Sequence, residues 1–245
     1  MPESAVRTQR VERLVAYLCD GVAPLPGHSL EDELSHWIGA SNRFLAFAET
    51  HRDKIRKKLR VSNESGVRGD VRAELHAAFL LLADRRFELA FEPHGRERRG
   101  PDFAVVFRAS HRFNLEVTRP RTRGEETNHA AAIGNALLGK LRQFPAESPN
   151  ALLVATGLAE SVENVATAMR GLKLHADRRD EDFFARRGLS ASDFQQLYRR
   201  LALLLVGSST GAGVHGWTNP EARRALPEGA AAACLGSLAG AQWAD

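Results

Sequence analysis

Apolar positions along this chain recur with two periods, and each change of period marks a predicted element. Over 5–19 the residues Val11, Leu14, Val15 and Leu18 repeat at helical spacing. Gly21 to Gly27, with Pro24 and Pro26, interrupts the pattern and reads as a linker. Ser29 then stands as an N-cap, with Asp32 in the first turn, for a helical stretch over 30–59. Its apolar positions are Leu34, Trp37, Ile38, Phe44, Leu45, Phe47 and Ile55. Arg52, Lys54, Arg56, Lys57 and Lys58 cluster at its end without forming one stripe. They read either as a solvated helix end that suits the C-terminal dipole or as a contact to nucleic-acid backbone. After a loop over 62–69, Asp70 reads as the cap of a helix to about Asp84 with an inward stripe of Val71, Leu75, Ala78 and Leu82. Glu74 falls on that same stripe, where a carboxylate is costly unless paired with a cation.

The period then drops to two. Phe87, Leu89 and Phe91 alternate in one predicted strand, and the basic loop 94–99 leads into two more, Phe103–Phe107 and Phe113–Val117. Phe103, Val105, Phe107, Phe113, Leu115 and Val117 point one way along these strands, and Asp102, Glu116 and Thr118 point the other. A hairpin centred near Ser110 pairs Phe107 with Phe113, sets Asp102 opposite Thr118 and places it diagonal to Glu116. Two carboxylates then share one face. A register slipped by one residue would separate them.

Pro120 ends this ladder, having no N–H to donate. Asn128 to Phe144 reads as a helix with Ile133, Leu137, Leu141 and Phe144 inward, and Lys140 falls on that inward side with Gln143 nearby. Such a lysine either snorkels to water or supplies a cation to a neighbouring site. Ala151–Thr156 and Leu201–Val206 read as buried strands. Ser161 reads as the cap of a helix to about Gly171, followed by an irregular charged segment to Gly188, and Ser190 or Ser192 as the cap of a helix to Arg200. Gly207–Gly216 reads as a flexible loop leading to the turn Asn219-Pro220, and Glu228–Ala239 as a closing helix.

Gly100-Pro101-Asp102-Phe103, a hairpin, and then Glu116-Val117-Thr118 resemble the core of the PD-(D/E)XK nuclease superfamily, the restriction-endonuclease-like fold. The resemblance covers roughly Asp70 to Pro220. Over Lys54 to Pro120 it is closer to a group of uncharacterised bacterial proteins. It implies an α/β architecture, with a mixed central sheet flanked by helices. An N-terminal helical extension is expected over 1–63, a nuclease-like domain over 64–225 and a C-terminal helical tail over 226–245. It implies a Mg2+ (or Mn2+) site built from Asp102, Glu116 and the Val117 carbonyl, with Glu74 contributing from the preceding helix unless an arginine takes its charge. Thr118 stands where the superfamily carries lysine, and members with a lysine displaced onto the following helix point to Lys140 as its replacement. Phosphate contacts are then expected from Arg119, Arg121, Arg123 and Gln143.

Composition adds limits. Hydrophobic content of 43% and charged content of 26% describe a soluble globular chain, and no run approaches the ~18 apolar residues of a membrane span. The opening MPESAVRTQR lacks the apolar core of a secretory signal, so a cytoplasmic location is expected. Cys19 and Cys234 form no CxxC pair. The net charge of +4 is modest, and the preference for arginine over lysine suits phosphate contacts as well as a GC-rich genome. Gly134 to Lys140 fits GxxxxGK, but Leu141 replaces the Ser/Thr that would hold magnesium and the alanine-leucine content favours helix over a phosphate loop. The histidines make no HExxH and no GxSxG elbow occurs. The activity that the resemblance implies is metal-dependent hydrolysis of DNA, duplex in the first instance with RNA left open, and cutting two strands favours a homodimer. A catalytically inactive nucleic-acid-binding relative and an interaction domain with merely salt-bridged acids are the competing readings.

Overall fold

The computed structural model describes residues 3–22, 29–61, 65–93, 100–120, 128–156, 162–207, 213–239 and 241. It is α/β, and its contacts divide the chain into two compact units, 1–85 and 86–245.

The first unit is helical: α1 (Glu3–Cys19), α2 (Leu30–Ala40), α3 (Asn42–Thr50), α4 (Arg52–Val61) and α5 (Ser65–Ala83). The single helix expected over 30–59 is three. Ser41 makes the first break, because its backbone is extended (φ −130°, ψ 116°) and its hydroxyl accepts the Phe44 N–H, stopping one helix and capping the next. The second falls at His51, whose backbone (φ −107°, ψ 11°) leaves the helical region. Leu18, Leu34, Ile38, Phe44, Ile55 and Leu59 are buried in this unit, as the apolar period requires. Part of the basic cluster on α4 is used internally. Arg56 pairs with Asp20 and lies 4.3 Å over the Tyr17 ring, Arg60 reaches Asp20 at 2.8 Å, and Lys58 reaches Glu74 at 2.6 Å. The helix expected to start at Asp70 begins at Ser65, so Asp70 lies within it. Since α5 packs with α3 and α4, the first unit extends past the boundary drawn at 63.

The second unit carries one six-stranded sheet in sequential order: β1 (Phe87–Phe91), β2 (Phe103–Phe107), β3 (His111–Thr118), β4 (Asn150–Ala155), β5 (Leu201–Gly207) and β6 (Val214–Thr218). The first three strands form an antiparallel meander, β3, β4 and β5 run parallel, and β6 returns antiparallel. Parallel neighbours need crossovers. These are α6 (His129–Lys140) with a 3-10 turn (Leu141–Gln143) between β3 and β4, and α7 (Val162–Asp177), α8 (Glu181–Ala185) and α9 (Ala191–Tyr198) between β4 and β5. Ile133, Leu137, Leu172, Phe184 and Phe194 from these helices bury Leu152, Val154, Leu204 and Val206 in one cluster. The central strands are therefore the uninterrupted apolar runs seen in the sequence.

Four readings of this unit change. The helix expected to end near Gly171 continues to Asp177, with Leu172 and Ala176 on its buried face, and α8 forms inside the segment expected to be irregular. Ser161 lies outside the described residues. Ser190 caps α9 in a capping box with Asp193. Part of the expected loop 207–216 is the edge strand β6, whose residues are half-buried or exposed, so pairing with β5 rather than an alternating apolar pattern creates it. The closing helix α10 (Ala230–Leu238) packs on β5 and β6, not as a separate tail. Its approach is close at Gly216, where a Cβ would stand 3.0 Å from a methyl of Leu235. Among the described residues no helix is long and apolar enough to cross a membrane.

Candidate metal centre

The turn between β2 and β3 fixes this site. It is closed by Arg108, Ala109 and Ser110, with Arg108 and Ala109 in the left-handed region (φ 50° and 62°). Phe107 therefore pairs with His111, Val105 with Phe113 and Phe103 with Leu115. The register expected from the sequence, Phe107 with Phe113, is off by two residues because the turn is shorter than the link Arg108–Arg112 assumed for it. A shift of two preserves the faces. Its effect is to bring Asp102 opposite Glu116 instead of Thr118.

Side-chain contacts lock the two acids across the hairpin. The Asp102 N–H donates to Glu116 Oε2 at 3.1 Å, and the Val117 N–H donates to Asp102 Oδ2 at 2.9 Å. The Asp102 carbonyl accepts the Glu92 N–H at 2.8 Å, so this residue is held from both flanking strands. In a strand the N–H and C=O of one residue face the same side. The carbonyl of Val117 thus faces the flank of β3 on which Asp102 lies.

Glu116 is 1% exposed and stands beside Leu152 in the parallel β3–β4 register, on the face covered by α6. Its Oε1 accepts a hydrogen bond from Lys140 Nζ at 2.6 Å. Lys140 is the last residue of α6, placed inward by the period that buries Ile133 and Leu137, and it keeps partial access to solvent. Burial first and the charge of Asp102 second push the Glu116 carboxyl up, Lys140 and the Asp102 N–H pull it back, and the balance leaves it at about 7 instead of 4.5. Two like charges share a poorly solvated face with one cation between them and the helix.

The remaining candidates divide. Thr118 ends β3, half-buried and beside Val154, on the Glu116 face. Arg119 follows it and is half-buried, whereas Arg121 and Arg123 lie outside the described residues. Gln143 sits in the 3-10 turn, also half-buried. Glu74 belongs to the first unit, where it is 4% exposed on the predicted stripe of α5 and its carboxylate accepts from Lys58 at 2.6 Å. Among the described residues no three His, Cys, Asp or Glu side chains gather as a metal-ligating group. The stretch fitting GxxxxGK is continuous α-helix within α6.

One pair of residues was missed. Asn114, two positions before Glu116 on the same face of β3, donates to Asn150 Oδ1 at 2.9 Å. The amide nitrogen of Asn150 in turn faces the carbonyls of Pro145, Ser148 and Arg200, each at 2.9 Å. This buried amide pair ties β3 to β4 beneath the acids. An asparagine inside an apolar strand is unusual enough to have signalled it.

No family model, no curated protein and no solved structure matches the chain.

Proposed function

We propose that the second unit is a Mg2+- or Mn2+-dependent nuclease of the restriction-endonuclease-like type, hydrolysing phosphodiester bonds in DNA. The observation carrying this reading is the juxtaposition of Asp102 and Glu116 across the hairpin, with the Lys140 ammonium 2.6 Å from Glu116. The order of an antiparallel meander, a helix and a parallel strand supports the fold family, which fits the coarser α/β description.

The donor set suits a hard divalent cation. Mg2+ takes oxygen ligands, commonly one or two carboxylates, and keeps several of its own waters. Asp102, Glu116 and the Val117 carbonyl supply oxygens of that kind, and the raised Glu116 carboxyl marks a site that gains from added positive charge. When bound, the ion would acidify a water and neutralise charge on the phosphate.

The chain's own residues do the rest. Lys140 brings a cation to the acids, in place of the lysine absent at Thr118, and offers its ammonium to a non-bridging phosphate oxygen. The hydrogen bonds between Asp102 and the β3 backbone fix its carboxylate before substrate arrives. Arg119 lies one residue beyond Thr118, within reach of a flanking phosphate.

Thr118 favours a second reading. It carries no charge, and both Glu116 oxygens are already engaged by donors of the chain, which suits a relative that binds nucleic acid without cutting it. Plasmid DNA and a labelled RNA, each incubated with Mg2+ or Mn2+, separate the two. Cleavage should be lost in Asp102→Ala and fall by about 100-fold or more in Lys140→Ala. Binding without cleavage establishes the second reading. Absence of binding, cleavage and any metal-induced rise in melting temperature overturns both.

A further inference from the structure

A groove of about 480 Å³ opens between α6 and the end of α8, lined by Asn135, Leu138, Gly139, Arg186 and Arg187. It is not part of the acid site, because Asn135 and Leu138 stand about 140° and 160° around α6 from Lys140 at 3.6 residues per turn. A Cβ at Gly139 would meet nothing within 4 Å, so this stretch of helix backbone lies open.

Arg187 is held rigidly there. Its Nε donates to Asn135 Oδ1 at 2.8 Å and its Nη1 to the Phe183 carbonyl at 2.8 Å. The guanidinium lies 4.0 Å over the Phe183 ring, and the His175 ring stacks on Phe183 at 3.8 Å and 6°. Two flat groups at such distances must occupy opposite faces, which makes a column of His175, Phe183 and Arg187. Asp180 anchors its far end, 2.8 Å from His175 Nδ1. Arg186 is exposed beside it, its Nε bonded to the Asp182 carbonyl at 3.1 Å. Among the described residues neither arginine forms an ion pair, and Arg187 Nη2 has no acceptor. Burial and the charge of Arg186 hold the Arg187 guanidinium below its ordinary range. Two adjacent cations, one stacked and fixed at its edge and neither in a salt bridge, with Asp180 acting on Arg186 only at longer range, are an arrangement that a tetrahedral oxyanion completes.

We propose that this groove binds a phosphate group, with Arg186 and Arg187 as its ligands, at a site separate from the acid pair. The phosphate has two sources, a nucleic-acid strand passing over α6 or a free phosphate ion. Only the first rests on the nucleic-acid reading above.

The test measures binding in chelator, so that cleavage plays no part, with the Asp102→Ala protein in parallel. Anisotropy of a labelled oligonucleotide is followed over a salt series for the wild type, Arg186→Ala, Arg187→Ala and Arg187→Lys. If a strand is the source, each alanine variant lowers the slope of log K against log salt by about 0.7 for a single strand or about 0.9 for a duplex. Arg187→Lys then weakens binding while keeping the slope, since charge remains and the planar fork is lost. If free phosphate is the source, inorganic phosphate raises the melting temperature of the wild type above that in chloride of equal ionic strength. Arg187→Ala and Arg186→Ala abolish this rise. Either result, retained in Asp102→Ala, supports the groove. Arg186→Ala changes an exposed side chain and should fold normally, so its indifference in both arms overturns the proposal.

Discussion

Replacing Glu116 by glutamine tests whether the acid pair is a strained site or an ordinary salt bridge. The carboxyl is 1% exposed and its folded-state value of about 7 lies above the 4.5 of the free side chain. A raised carboxyl binds its proton more tightly in the folded state. Its contribution to stability is therefore complete below about pH 4.5 and lost as the pH rises towards 7. The interval corresponds to about 3 kcal/mol at about 1.4 kcal/mol per pH unit. Glutamine cannot titrate, and its amide sets a donor against either Lys140 or the Asp102 N–H, at a cost of about 1–2 kcal/mol that does not vary with pH. The pH-dependent part is thus the diagnostic. Urea unfolding in chelator should show Glu116→Gln gaining about 2–3 kcal/mol on the wild type between about pH 5 and about pH 8. Saturating Mg2+ should reduce that gain by stabilising only the wild type. A stability difference that stays flat with pH, or one that turns against glutamine as pH rises, would refute the reasoning. The latter would identify Glu116 as a carboxylate that Lys140 stabilises outright.

Two further substitutions probe the scaffold. Asn150→Ala removes an amide that faces three carbonyls and Asn114, and should lower stability by about 3 kcal/mol. The urea midpoint reads this loss, and a change below about 1 kcal/mol would show that the amide pair does not hold β3 against β4. Ser41→Ala removes the hydroxyl that caps α3 and should cost about 1 kcal/mol, seen in the unfolding midpoint with little change in circular dichroism at low denaturant.

Local pattern alone located most of the elements and the faces of those that matter. Alternation puts Asp102 and Glu116 on one side of a hairpin, and helical spacing turns Lys140 inward. Register was harder to read. Two strands joined by a five-residue polar link can pair in several even registers without moving a side chain to the wrong face, and only the left-handed turn at Arg108 and Ala109 selects the one that sets the acids face to face. The break at Ser41 was legible only in part, because a serine within a helical pattern is tolerated until its hydroxyl finds an N–H to cap.

Sequence by itself determined the α/β class, the central apolar strands and the three chemical groups of the candidate site, since each follows from periods that the backbone imposes on any chain. Tertiary structure decided which partners those groups meet. Lys140 reaches Glu116, Glu74 is taken by Lys58, β6 exists because β5 offers it an edge, and Arg187 is stacked and aimed by residues from three helices. Such pairings depend on distances between segments far apart in the chain, and no local period encodes them.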